Sequence, residues 1–260
     1  MHYNPYKERL TMRDYNTEYS TFNTNDIDNK YEYSFDKLLR RYMLRSFLPF
    51  LSSGKALELG CFQGEFTEIL IDHFTDITVV EAADTLVEYV RNRVGYRVKF
   101  INSVFETLEL QDKYDAIFLI HTLEHLDDPV FVLRKINSWL SDQGLLFIAV
   151  PNANAPSRQI AVKMGLISHN TAVTEAEFAH GHRKTYAFDS LEKDTIDAGL
   201  NIVNRGGIFF KALANFQFDK LLSTDIISDS YLEACYKLGM QYPDLCASIF
   251  LVCKKGLIQK

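Results

Sequence analysis

Five of the seven histidines in this 260-residue chain fall between positions 121 and 182: His121, His125, His169, His180 and His182. An imidazole titrates near neutrality, so it can take the proton of a hydroxyl that is to act as a nucleophile. His121, His125, His180 and His182 are the candidates for that role, and for any single one a capping or core role fits as well. Upstream, Gly60-Cys61-Phe62-Gln63-Gly64 follows Ala56-Leu57-Glu58-Leu59, and Glu81 lies 21 residues after Gly60. Glycines at that spacing let backbone N–H groups approach a ligand closely. An ionised acid one strand away accepts strong hydrogen bonds from ribose hydroxyls.

These residues need elements to position them. The apolar residues Ala56, Leu57 and Leu59 form a short strand that turns on Gly60, and Phe66, Ile69, Leu70 and Phe74 then repeat at helical spacing. A strand turning on glycine into a helix is the first βα unit of an open nucleotide-binding sheet. The pattern repeats along the chain. Asp76–Glu81 reads as strand 2, residues 82–94 as a helix, Arg97–Ile101 as strand 3, and Asn102–Glu106 as the loop after it. Tyr114–Ile120 is the most apolar of these strands and is expected at the centre. A helix over 130–140 follows, with Pro129 at its first turn and Gly144 just past its end. Gly144–Val150 is strand 5. Alternating strands and helices predict a doubly wound parallel sheet with the ligand crevice at the carboxyl ends of strands 1 and 4, which places Gly60 opposite His121.

Composition narrows the class. The net charge of −6 argues against a nucleic acid partner held by phosphate contacts. Cys61, Cys235, Cys246 and Cys253 show no C-x-x-C spacing and read as reduced thiols of a cytoplasmic protein. No apolar run reaches membrane-spanning length, and the first residues lack an apolar signal core. Residues 1–30 are polar and form a separate segment, a candidate lid, while 31–260 is expected to be one domain opening on an amphipathic helix over 31–51, with Tyr31 and Tyr33 at its head. The missing middle glycine disfavours a dinucleotide, and no G-x-x-x-x-G-K-[ST] occurs.

Leu57-Glu58-Leu59-Gly60 with Gly64, then Val79-Val80-Glu81-Ala82, then His121-x-Leu123-Glu124-His125-x-x-Asp128-Pro129, then Pro151-Asn152, resembles in this order the class I S-adenosylmethionine-dependent methyltransferases of bacterial small-molecule type. The resemblance covers about residues 50–210. It implies a seven-stranded α/β sheet, mostly parallel, whose last strand, Cys246–Cys253, is antiparallel and inserted beside strand 5. It implies S-adenosylmethionine as cofactor, contacted by Glu58, Gly60, Cys61, Phe62, Gln63, Gly64, Glu81, Ala82, Ser103, Val104, Phe105 and His121. Its most specific suggestion is an enzyme of surface-polysaccharide or capsule biosynthesis, including those associated with the O-methyl phosphoramidate group.

Two stretches exceed the minimal fold: 152–187 and 211–245, the second with a helix near Ser230–Leu238. Both are expected to cap the carboxyl face, where substrate lies. The first carries Arg158, Lys163, His169, Asn170, His180, His182, Arg183, Lys184 and Tyr186. This basic and imidazole-rich cluster in an acidic chain suggests a small anionic acceptor, such as a phosphorylated or nucleotide-linked sugar, methylated on oxygen or less readily on nitrogen. No metal is assigned. An alternative keeps one: His121-x-x-Glu124-His125 is similar to the E-x-x-E-H segment with which ubiquinone-biosynthesis O-methyltransferases hold a divalent ion, with His180 or His182 as a later ligand. A cofactor-binding protein of the same fold without turnover is the remaining alternative. Oligomeric state is not legible.

Overall fold

The computed structural model describes residues 13–16 and 33–256. Most of the polar N-terminal segment expected as a lid, together with Tyr31, lies outside the described residues.

Helix α1 (Ser34–Phe47) leads into the sheet with Phe35, Leu39, Met43 and Phe47 buried on one face at four-residue spacing. Its first turn is held by acids. Asp36 accepts from the Tyr33 N–H at 2.8 Å, and Asp219 accepts from the Ser34 and Phe35 N–H groups at 3.2 and 2.8 Å. The chain then runs β1 (Lys55–Leu59), α2 (Glu65–Leu70), β2 (Asp76–Glu81), α3 (Asp84–Val94), β3 (Lys99–Asn102), β4 (Tyr114–Ile120), α4 (Pro129–Trp139) and β5 (Leu140–Pro151). Beyond it come α5 (Pro156–Lys163), α6 (Glu175–Ala179), α7 (Phe188–Asp197), β6 (Asn201–Phe210), α8 (Asn215–Leu222), α9 (Asp229–Gln241) and β7 (Cys246–Lys254).

The seven strands form one sheet in the order β3-β2-β1-β4-β5-β7-β6. β1 to β5 are mutually parallel, and β7 runs antiparallel between β5 and β6. The seven-stranded, mostly parallel expectation and the inserted last strand therefore hold. Both faces of the sheet are covered, so the period of two along a strand divides residues between two cores. On β4, Ala116, Phe118 and Ile120 join the core under α1, while Ile117 and Leu119 join the core under α4 and α7. Phe118 stacks on Phe147 of β5 at 5.0 Å, and Phe47 of α1 closes on Phe147 at 5.1 Å.

Three boundaries differ from the sequence reading. Gly144 does not follow a helix end but lies inside β5, where an added Cβ would come within 2.5 Å of the Tyr114 carbonyl oxygen. The glycine allows that close approach beside the irregular β4–β5 register. β3 begins at Lys99 rather than Arg97 because 95–97 close a 3₁₀ turn. The 211–245 stretch holds two helices. The short α8 was missed because its one buried anchor, Phe218, packs only in three dimensions against Phe35 at 4.7 Å and Phe209 at 5.7 Å.

Candidate active site

Strand order reverses between β1 and β4, and the crevice there opens into a cavity of about 480 Å³. Gly60 ends β1 at φ +79°, and a Cβ on it would sit 2.7 Å from Thr122 Oγ1, so only glycine lets this turn pass the loop after β4. The Gly60 N–H donates to the Val80 carbonyl at 2.9 Å, holding the turn against β2. At the end of β2, Glu81 is buried. Its Oε2 accepts from the Cys61 and Phe62 N–H groups at 3.1 and 3.3 Å, and Oε1 accepts from the Ala83 N–H at 3.0 Å. Burial pushes its carboxyl up, and these N–H donors pull it back toward the ionised form. A carboxylate has about four acceptor positions, so Oε1 keeps acceptor capacity for a ligand hydroxyl.

Of the twelve residues expected at the cofactor, Glu58, Gly60, Cys61, Phe62, Glu81, Ala82, Val104, Phe105 and His121 line the cavity. Gln63, Gly64 and Ser103 are not among its lining residues. Gly64 is a hinge: it precedes α2 at φ +86°, and a Cβ there would strike Val90 at 2.6 Å. The Gln63 carbonyl accepts from Arg93, and the Ser103 hydroxyl is turned to the Val104 carbonyl at 3.0 Å. Glu58 is buried, accepts from Thr67 Oγ1 at 2.7 Å, and is pushed up to about 8 by burial.

All four candidate histidines line the same cavity, while His169 stays outside it, bonded to Thr171. They are not equivalent. His121 follows β4 at φ +50°, and its Nε2 is 2.9 Å from Ser248 Oγ on β7. Burial, with Arg40 and His182 nearby, pushes its imidazole down to about 3. Such a ring holds a proton too weakly to be an effective base near neutrality. His125 and His182 meet edge to face at 4.6 Å. Glu124 joins them, and one ligand atom from each of Glu124, His125 and His182 lies within 4.8 Å of the others. Both Glu124 carboxylate oxygens and His125 Nδ1 are buried without a hydrogen-bond partner. Burial pushes Glu124 up to about 8, and pushes His125 well below its ordinary value and His182 to about 4. His180 is lowered by burial too.

Two expectations change in consequence. The metal alternative named His121 together with a later histidine, His180 or His182; His121 is engaged with Ser248, and the later histidine beside Glu124 and His125 is His182. A buried carboxylate with unpartnered oxygens beside two imidazoles is a donor set that fits a divalent ion. The second change is electrostatic: burial disfavours the charged form of each of these imidazoles, so they are poor sources of field for an anion. The cations on the cavity wall are instead Arg13, Arg40, Arg158 and Lys211, facing Asp36, Glu58, Glu81, Glu106, Glu124 and Glu177. Arg40 and Lys211 escaped the sequence reading. Arg40 shares the helical face of Asp36 one turn on, and Lys211 follows β6; neither carries a motif, and only the placement of α1 and β6 on the carboxyl edge brings them to the cavity.

A family model described as a methyltransferase domain matches residues 31–205, more than half of the chain. The chain belongs to the methyltransferase domain family. Among curated relatives, the ubiquinone biosynthesis O-methyltransferase of Sinorhizobium medicae (strain WSM419) is 22% identical over 165 residues, covering 62% of this chain and 65% of that protein. The enzyme of the same name from Coxiella burnetii (strain RSA 493 / Nine Mile phase I) is 25% identical over 190 residues, covering 72% and 78%. The chain thus spans about two thirds of the length of such relatives. Among solved structures, N-methyltransferase NodS from Bradyrhizobium japonicum WM9, in complex with S-adenosyl-L-homocysteine, aligns over 92% of this chain and 97% of its own with a TM-score of 0.60 and 12% identity, a likeness of fold. The glycine turn, Glu81 and the open cavity fit a ligand of the class bound in that structure, S-adenosyl-L-homocysteine. The names of these relatives lend no support to the capsule or polysaccharide role. No described helix is long and apolar enough to cross a membrane.

Proposed function

We propose that this methyltransferase methylates an oxygen of a small acceptor, and that the acceptor hydroxyl loses its proton at the Glu124–His125–His182 cluster. The observation that carries this reading is the unpartnered, buried Glu124 carboxylate on the wall of the cofactor cavity. Bound S-adenosylmethionine supplies an activated sulfonium methyl. Gly60, Cys61 and Phe62 cradle it, Glu81 takes the ribose hydroxyls, and Val104 and Phe105 flank the adenine. The rest of the site aligns the acceptor oxygen with the methyl, which contributes about 7–11 kcal/mol to such reactions. With a carboxyl near 8, Glu124 is matched to a general base at neutral pH, and the His125 and His182 rings lie beside it. The anionic character expected of the acceptor rests here on Arg40 and Lys211 rather than on imidazole. A phosphorylated or nucleotide-linked sugar fits that pair, and nitrogen remains the less favoured nucleophile.

A second reading places a divalent metal on Glu124, His125 and His182. The ion would polarise the acceptor hydroxyl and lower its pKa, and the three residues would then serve as its ligands rather than as the base. Two experiments test the proposal. Calorimetry with S-adenosylmethionine must show binding. Screening of phosphorylated and hydroxylated small molecules must then find a product whose formation fails in Glu124→Gln while cofactor affinity persists. Elemental analysis before and after chelation separates the two readings: unchanged activity with no bound metal removes the second.

A further inference from the structure

The loop bearing Glu124 and His125 is gripped from both sides by capping segments. On one side, the Glu124 carbonyl accepts from the Arg183 and Lys184 N–H groups of the first insertion at 2.8 and 3.3 Å. On the other, the His125 carbonyl accepts from Arg13 at 2.9 Å, across 112 residues of chain. Arg13 belongs to the short described stretch 13–16. Its guanidinium lies 4.6 Å over the Tyr15 ring, and both residues line the cavity together with Val104, Phe105 and Glu106. The stretch has a second anchor: the Asn16 side-chain oxygen accepts from the Thr85 N–H at 3.4 Å and the Thr85 hydroxyl at 3.1 Å. Thr85 opens α3, directly after the Glu81 end of β2. One strap of four residues therefore ties the adenosine end of the cofactor cavity to the carbonyl of His125.

We infer that Arg13 is a positioning residue through which cofactor binding orders the loop of Glu124 and His125. The inference rests on the reading of that loop as the reaction centre. The physical step is linkage. A nucleoside that touches Tyr15 and Arg13 favours the seated strap. The seated strap favours one position of the His125 carbonyl, and each effect strengthens the other by the same factor. Besides the Arg183 and Lys184 bonds to the Glu124 carbonyl, the loop has two local bonds, His125 N–H to the Thr122 carbonyl at 3.1 Å and Leu126 N–H to the Leu123 carbonyl at 3.3 Å. These two amides report whether the loop is held. The functional consequence is order: the centre is assembled for an acceptor after cofactor has bound, which keeps its buried carboxylate from working on water or a stray hydroxyl.

The test is amide hydrogen exchange of the full chain with and without saturating S-adenosylhomocysteine, in wild type, Arg13→Ala, Arg13→Lys and Asn16→Ala. S-adenosylhomocysteine should slow exchange at His125 and Leu126 in wild type. In Arg13→Ala it should still bind, about two- to tenfold more weakly, without slowing those amides, while β1 and β2 amides are protected as in wild type. Arg13→Lys, which keeps one donor, should restore part of the effect, and Asn16→Ala should reduce it. Equal protection of the loop in wild type and Arg13→Ala overturns the inference, as does a wild-type loop indifferent to the ligand. No readout here depends on the acceptor, so failure of the proposed hydroxyl chemistry shows separately, in the turnover of Glu124→Gln.

Discussion

Lys211→Met should make the protein more stable at neutral pH and remove a pH dependence that wild type has. The Lys211 ammonium is 5% exposed, and burial lowers its pKa from 10.5 to about 8, with Asp36 pulling the other way. A folded-state pKa below the unfolded one means that the unfolded chain holds the proton more tightly. Stability is therefore reduced below pH 8 and recovers as pH rises toward 10.5. At roughly 1.4 kcal/mol per pKa unit, the shift costs about 3 kcal/mol at pH 7 and about 1 kcal/mol at pH 9.5. Methionine removes that cost. It also loses the bond to the Leu213 carbonyl, 2.6 Å long, and the contact 5.1 Å from the Phe35 ring centroid, together worth about 2–3 kcal/mol. The net expectation is a gain of up to about 1 kcal/mol at pH 7 that becomes a loss of about 1–2 kcal/mol near pH 9.5. Urea denaturation of both proteins at the two pH values measures it. Tyrosine, cysteine and the other lysines titrate alike in both, so the difference isolates Lys211. A difference that does not change with pH would refute the buried-ammonium reasoning. A lysine kept at such a cost on the cavity wall is expected to serve the acceptor.

Glu81→Gln should weaken S-adenosylmethionine about tenfold and Glu81→Ala by about 1–3 kcal/mol, because alanine also frees the Cys61, Phe62 and Ala83 N–H groups; calorimetry that finds wild-type affinity in both removes Glu81 from the cofactor site. Gly60→Ala should lose cofactor binding and about 1–2 kcal/mol of stability, since it places a side chain at φ +79° against Thr122; thermal unfolding and titration read the two effects. Alanine at His125 or His182 should abolish turnover of an acceptor found by screening while leaving cofactor affinity near wild type, whereas His121→Ala should retain most activity. Normal turnover in the His121, His125, His180 and His182 variants alike would end the case for imidazole at the reaction.

The half of the molecule that holds cofactor was legible because local rules decide it. Short apolar runs marked β1, β2, β4 and β5, and glycine punctuation marked the turn at Gly60. What sequence could not weigh was burial. His121 and His125 sit four residues apart in one motif, yet Ser248 engages one and Glu124 and His182 flank the other, and that difference depends on β7 and on the first insertion folding back. The same holds for charge. An imidazole-rich stretch reads as basic until burial disfavours the charged form of His180 and His182, and two of the cations on the cavity wall, Arg40 and Lys211, come from elements about 170 positions apart.

The match to the family ends at residue 205, within β6, while Lys211, Asn215 and both helices of the second insertion follow it. The cofactor turn, Glu81 and the Glu124–His125–His182 cluster all lie inside the matched span. Beyond that span, Lys211 and Asn215 build a wall of the cavity against Asp36 of α1. Asn215 donates to Asp36 at 2.9 Å, so α1 is fastened to the second insertion. An acceptor that fills this end of the cavity touches residues outside the matched span. The shape of the acceptor must therefore be sought in the contacts of Lys211 and Asn215 as well as at the Glu124–His125–His182 cluster.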